Sequence, residues 1–89
     1  MADDAQNREA MKDSLETLTQ IAESGTTPKT IKKSIMELIT ELNGTEYSLS
    51  VRAANAISML DDVTQDPNMP SYVRTQLWQA VSKLESIRE

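Results

Sequence analysis

Apolar residues return along this chain at steps of three and four, the spacing that stacks side chains on one face of an α-helix. Four such stretches are visible. Met11, Leu15, Leu18 and Ala22 mark the first, from about Ala5 to Ser24. Ile31, Ile35, Leu38 and Leu42 mark the second, from Pro28 to about Leu42. Leu49, Ala53, Ala56, Ile57, Leu60 and Val63 mark the third, from Ser48 to about Gln65. Val73, Leu77, Ala80, Val81, Leu84 and Ile87 mark the fourth, from Pro70 to about Ile87. No stretch alternates with a period of two over the length of a strand, and β-branched residues are not clustered. The pattern predicts an all-α fold.

Turn chemistry falls between the stretches. Thr27-Pro28 and Met69-Pro70 precede the second and fourth. Proline suits the first helical turn, where its missing N–H has no partner to lose. Thr27 reads as an N-cap for the second helix. Gly25 and Asp66-Pro67 should end the helices before them. Asn43-Gly44 breaks the middle of the chain, with Thr45 and Ser48 as caps for the third helix. Connections this short make successive helices antiparallel neighbours. The expected architecture is a four-helix bundle: four antiparallel helices arranged as two HEAT-like hairpins, about 5–42 and 48–87, within a single helical domain spanning 1–89.

The two halves also match each other. Pro28 and Pro70 stand 42 residues apart. At that offset Leu15 meets Ile57, Leu18 meets Leu60 and Ile21 meets Val63. Further on, Ile31 meets Val73, Ile35 meets Leu77, Ile39 meets Val81 and Leu42 meets Leu84. Any two equal hairpins would align in phase. The paired prolines, each followed four residues later by a basic residue (Lys32 and Arg74), favour duplication of one hairpin instead.

A repeat of this size made of two helices is that of a HEAT unit. Asn68-Met69-Pro70-Ser71-Tyr72-Val73-Arg74, with Ala80 and Leu84 beyond, resembles the start of a HEAT second helix. That family often has an acidic residue where Asn68 stands and an arginine where Arg74 stands. The first half has Thr26 and Lys32 there, so neither copy reproduces the HEAT aspartate–arginine pair. A second resemblance covers nearly the whole chain. It rests on Ser50-Val51-Arg52-Ala53-Ala54-Asn55-Ala56-Ile57-Ser58-Met59-Leu60-Asp61-Asp62 and on Asp66-Pro67-Asn68-Met69-Pro70. Thr27-Pro28 and the basic residues after it add to it. These segments resemble uncharacterised protein family one-four-seven, a small family of archaeal helical proteins. The resemblance implies an archaeal, cytoplasmic, four-helix protein and implies no activity.

Composition narrows the chemistry. Leu, Ile and Val make up 18 of the 89 residues and there is no Phe. That is close to the fraction at which charged chains stay disordered, so the helical periodicity decides for folding. The five methionines add adaptable apolar volume. With no Cys and no His, the chain has no disulfide framework, no thiol nucleophile and none of the commonest transition-metal ligand. Serine nucleophiles lack a histidine base. Gly25 and Gly44 are the only glycines, too few for a phosphate-cradling loop. Met1-Ala2-Asp3-Asp4 is acidic and polar, unlike a secretory signal, and no apolar run is long enough to span a membrane. These features point to a cytoplasmic protein with no cofactor.

Several side-chain sets remain as candidates. Asp61, Asp62 and Asp66 cluster near the end of the third helix. Asp62 and Asp66, four apart, could share a hard cation such as Mg²⁺, against the simpler reading of a solvated helix end. Glu37 and Glu41 are paired opposite the apolar stripe of the second helix, a spacing open to acid–base work if something separates their protonation. A solvated face explains them better. Lys29, Lys32 and Lys33 form the one basic cluster, a candidate patch for an anion or an acidic partner. They sit in a first helical turn, where positive charge opposes the helix dipole. No aromatic is interleaved with them, and the net charge of −5 disfavours nucleic acid. Arg52 is expected to cover the central turn with its stem and to pair its head with an acid. Trp78 points about 120° away from the apolar stripe of the fourth helix, with Val81 between. Met36 and Ile39 occupy the equivalent places on the second helix.

These observations leave no catalytic set, disfavour nucleic acid and exclude a membrane span, with a protein partner or a second copy remaining. The expected function is a non-enzymatic protein–protein interaction module or small homo-oligomer, with Trp78, Val81, Met36 and Ile39 as the interface. The alternative is an auxiliary factor associated with nucleic acid or ribonucleoprotein through Lys29, Lys32 and Lys33.

Overall fold

Four helices form where the periodicity places them: α1 (Asp4–Glu23), α2 (Lys29–Leu42), α3 (Leu49–Thr64) and α4 (Ser71–Glu85). The computed structural model describes residues 4–88, and no strand occurs among them. The helices form a ring, α1–α2–α3–α4, closed by packing of α4 against α1. Contact across one diagonal, α1 with α3, leaves α2 and α4 at opposite corners without meeting. Turns of five or six residues join helices that pack side by side, so each runs against its predecessor. The molecule is 37 × 22 × 20 Å, a little longer than the roughly 30 Å that twenty helical residues span.

The stripes read from the sequence face inward. Leu18, Ile21, Ile35, Leu38, Leu42, Leu60, Val73, Leu77 and Leu84 are all but sealed from water. Positions 42 residues apart share environments: Leu18 with Leu60, Ile31 with Val73, Ile35 with Leu77 and Leu42 with Leu84 are buried. Thr27 and Met69 are buried as well, Ile39 and Val81 are half-buried, and Met36 and Trp78 are exposed. Ile21 and Val63 differ, the first buried and the second half-buried.

Helix ends are handled differently from the sequence expectation. Pro28 and Pro70 are themselves the N-cap residues of α2 and α4, just outside the first turn, at φ −57°, ψ 147° and φ −62°, ψ 145°. Proline's fixed φ holds the chain extended there until the helix begins. Thr27 is therefore not the N-cap. Its buried hydroxyl donates backward, to the Ile21 carbonyl at 2.9 Å. Ser48 does cap α3, accepting from the Val51 N–H at 3.4 Å. No described residue has positive φ, Gly25 and Gly44 included, so neither glycine makes the left-handed cap that its sequence position suggests.

The carbonyls at the ends of α2 and α3 are satisfied by arginines instead. Arg52 donates from Nη1 to the Leu42 carbonyl at 2.9 Å and from Nε to the Tyr47 carbonyl at 3.0 Å. Arg74 donates from Nε to the Thr64 carbonyl at 3.0 Å and from Nη2 to the Asp66 carbonyl at 3.3 Å. Each arginine is the fourth residue of its helix and reaches back ten residues to the end of the helix before it. The Arg52 head thus meets backbone rather than an acid, because the turn offers carbonyls with no helical partner of their own.

Asn7 closes the ring. Buried on α1, it donates from Nδ2 to the Arg88 carbonyl at 2.9 Å and accepts the Arg88 N–H on Oδ1 at 3.1 Å. An amide side chain pairs with a peptide group in this way as one strand residue pairs with another.

Two stability outcomes follow. Leu60→Ala should lower unfolding free energy in urea by about 2–5 kcal/mol, the range for emptying a fully packed leucine site; a smaller loss would mean the site refills by collapse. Arg74→Met keeps the apolar stem and removes both hydrogen bonds, and should cost about 1–3 kcal/mol by stranding the carbonyls at the end of α3. A change within about 0.5 kcal/mol, the range of ordinary surface substitutions, would show that water serves those carbonyls equally well.

Candidate functional site

Helix periodicity sorts α4 into three flanks. Val73, Leu77, Ala80 and Leu84 fill the core. Lys83 lies on the flank toward α1, where its Nζ sits 3.9 Å from Asp13. Arg74, Trp78, Val81 and Glu85 lie on the flank toward α3, as the Arg74 bond to Thr64 establishes. Trp78 is 56% exposed and Val81 half-buried. From Ser71 to Ser82 the chain carries one charged side chain, Arg74, and its guanidinium is turned onto carbonyls of the preceding turn. Arg74 is thereby the one charge on α4 over these three helical turns, and its head is turned away from Trp78's outer surface onto the preceding turn.

Below Trp78, toward the end of α4, lies an open depression of ≈330 Å³. Its walls are Ser50, Ala53, Ala54 and Ile57 of α3 against Leu84 and Glu85 of α4, with Ile87 and Arg88 closing the end. Alanines at 53 and 54 create it, since larger side chains there would fill the space between the helices. Sequence spacing identified Trp78 but not this depression, which needs the α3–α4 register.

The equivalent surface on α2 is separate. Met36 is 54% exposed and Ile39 half-buried, but α2 and α4 occupy opposite corners of the ring. The four candidate interface residues therefore form two patches rather than one. Lys12 and Glu16 of α1 stand where Ala54 and Ser58 stand on α3, and Met11 where Ala53 stands.

Lys29 and Lys33 are exposed in the first turn of α2, and Lys32 is half-buried. An aromatic does reach this end of the bundle, contrary to the sequence reading. Tyr72 donates its hydroxyl to the Thr26 carbonyl at 3.0 Å, across 46 residues, while its ring stays half exposed. Residue spacing carries no sign of it, because the contact joins two turns distant along the chain.

The carboxylates are dispersed. Asp61 and Asp62 are exposed on α3, and Asp66 lies beyond the helix end, its Oδ1 accepting from the Asn68 N–H at 2.9 Å. The helical i, i+4 relation between Asp62 and Asp66 fails because α3 stops at Thr64. Among the described residues, no three acidic side chains are placed to hold a metal. Glu37 and Glu41, both exposed, border a shallow depression of ≈180 Å³ with Glu46, Tyr47 and Arg52. Among the described residues, no helix is long and apolar enough to cross a membrane.

Known proteins are similar to this chain over nearly its whole length. A protein from Aeropyrum pernix is 40% identical over 96% of this chain and 93% of its own length. One from Metallosphaera sedula is 37% identical over 93% of each. Both carry only the name UPF0147 protein. Among solved structures, the protein of unknown function MMP1188 superposes with a TM-score of 0.87 at 39% identity, over 92% of this chain and 93% of that one. A Thermoplasma acidophilum protein of family UPF0147 superposes equally, TM-score 0.87 at 30% identity, over 94% of this chain and 99% of that one. The model of the Uncharacterised protein family (UPF0147) matches residues 1–87, and the chain belongs to that family.

Proposed function

We propose that the protein is a non-enzymatic, cytoplasmic protein-interaction module whose contact surface is the outer flank of α4. One observation carries this reading: a large aromatic, Trp78, stands in water on a helix face without free charge. Exposed tryptophan is uncommon on surfaces that stay wet and enriched where proteins anchor on one another. Interface cores are also depleted in charge relative to the rest of the surface. Here the depletion is local, since charged residues make up 26% of the whole chain. Met36 and Ile39 offer a second, smaller apolar patch on α2.

The test is capture from a lysate of the cells the protein comes from, on immobilised chain, washed at high salt. The wild type should retain a protein that Trp78→Ala does not, with unchanged far-ultraviolet circular dichroism. Retention of the same proteins by both would remove α4 from the reading.

A second reading is favoured by Tyr72. Its ring lies at the same end of the bundle as Lys29, Lys32 and Lys33, and an aromatic platform beside cations suits stacked bases and phosphates. Net charge opposes it. Fluorescence titration with labelled single-stranded RNA should then show affinity that falls steeply with salt and drops further in Lys29→Gln/Lys33→Gln. The absence of binding at low salt would discard it.

A further inference from the structure

We infer that the partner of the α3–α4 face is a second copy of this chain, docked antiparallel about a two-fold axis so that each Trp78 enters the depression of the other. This rests on the interaction reading above and names its partner.

The geometry of α4 is self-complementary. Val81 is midway between knob and hole: Trp78 lies three residues before it, and Leu84, on the depression wall, three residues after. A two-fold axis across the groove at Val81 and Ile57 therefore carries Trp78 of one copy onto the depression of the other. Two-fold interfaces join a surface to itself, so a knob and a hole at equal distances from one point fit such an axis.

Size and chemistry agree. A cavity of about 150 Å³ accepts a benzene ring, and the depression measures ≈330 Å³, room for the two rings of an indole. Ala54 and Ile57 give it an apolar floor over the buried Ala53 and Leu84, while Ser50, Glu85 and Arg88 make its rim polar. Buried indole N–H groups find an acceptor, and the Glu85 carboxylate supplies one.

The first hairpin lacks this face. Where α3 has Ala53, Ala54 and Ser58, α1 has Met11, Lys12 and Glu16. Size is also sufficient. A standard interface removes about 800 Å² per partner from water, and the broad side of the molecule is 37 × 22 Å. The whole length of the α3–α4 face has to take part.

Sedimentation equilibrium of the purified chain between micromolar and millimolar concentration reads this out. Trp78 is the only tryptophan, so its emission reports the same event. The expected result is a dimer whose formation shifts the emission to the blue. Trp78→Ala should weaken it at least about thirtyfold, the loss for a central anchor worth about 2 kcal/mol. Ala54→Arg, an exposed position that plugs the hole and leaves Trp78 in place, should weaken it comparably. Both variants should keep the wild-type far-ultraviolet circular dichroism and should melt as the wild type does at concentrations where it is monomeric. A wild-type monomer at all concentrations, or a dimer indifferent to Trp78→Ala and Ala54→Arg, overturns the inference. If the monomer still captures another protein through Trp78, the interaction reading stands and only the self-docking is wrong. If it captures nothing that depends on Trp78, both are wrong.

Discussion

The bundle depends on how its helices stop. Each helix ends with carbonyls that have no helical partner, and a turn of five or six residues leaves little room to turn them all to water. A glycine in the left-handed conformation is the common solution, and this chain does not use it. The acceptors are met by side chains: Thr27 within the first turn donates to Ile21, and from beyond the next two turns Arg52 donates to Leu42 and Arg74 to Thr64. The consequence is architectural. A donor from the next helix can reach those carbonyls only if that helix folds back alongside, so the same bonds that finish one helix orient the next. An arginine with two donors engaged fixes two points of the turn at once, one at the helix end and one in the loop or just beyond.

Closure of the ring uses a different device with the same logic. α1, like α3, touches all three other helices, and it is held to the chain just beyond the end of α4 by Asn7 pairing with the Arg88 peptide. A buried amide without partners would be costly, and the Arg88 peptide satisfies both its oxygen and one of its N–H groups. Lys83 with Asp13, more than a third exposed on both sides, adds little beside it.

The sequence carried the helices well, because a period of 3.6 in leucine and isoleucine survives any detail of packing. Ile35, Leu60 and Leu77 could be placed in the core from spacing alone. Caps were harder. Thr27 before Pro28 has the look of an N-cap, yet its hydroxyl serves the previous helix, since the buried acceptor at Ile21 outweighs the exposed donors of α2. Arg52 was legible as a turn-covering residue but not as a carbonyl donor, because an arginine's target depends on what the fold leaves unpaired. The depression between Ala54 and Leu84 was hidden for a plainer reason. It belongs to no residue, only to the gap between two helices in one register, as does the contact of Tyr72 with Thr26.

The correspondence between the two hairpins makes their differences informative. Buried positions repeat at a spacing of 42 residues, as they must if both hairpins share one core. Surface positions are under no such constraint, and there the halves part. The outer flank of the first hairpin carries Lys12, Glu16, Lys29 and Lys33; that of the second carries Ala54, Ser58, Ser71 and Thr75 at the equivalent sites. Solvation alone favours the charged version, because charge on a wet surface keeps a small protein dispersed. Stability gives no reason to remove it either, since isolated surface charges contribute little in either direction. What an uncharged flank with an exposed indole does gain is a lower desolvation cost when something covers it. In the proposed interaction, the second hairpin keeps the frame of the first and exchanges hydration for adhesion.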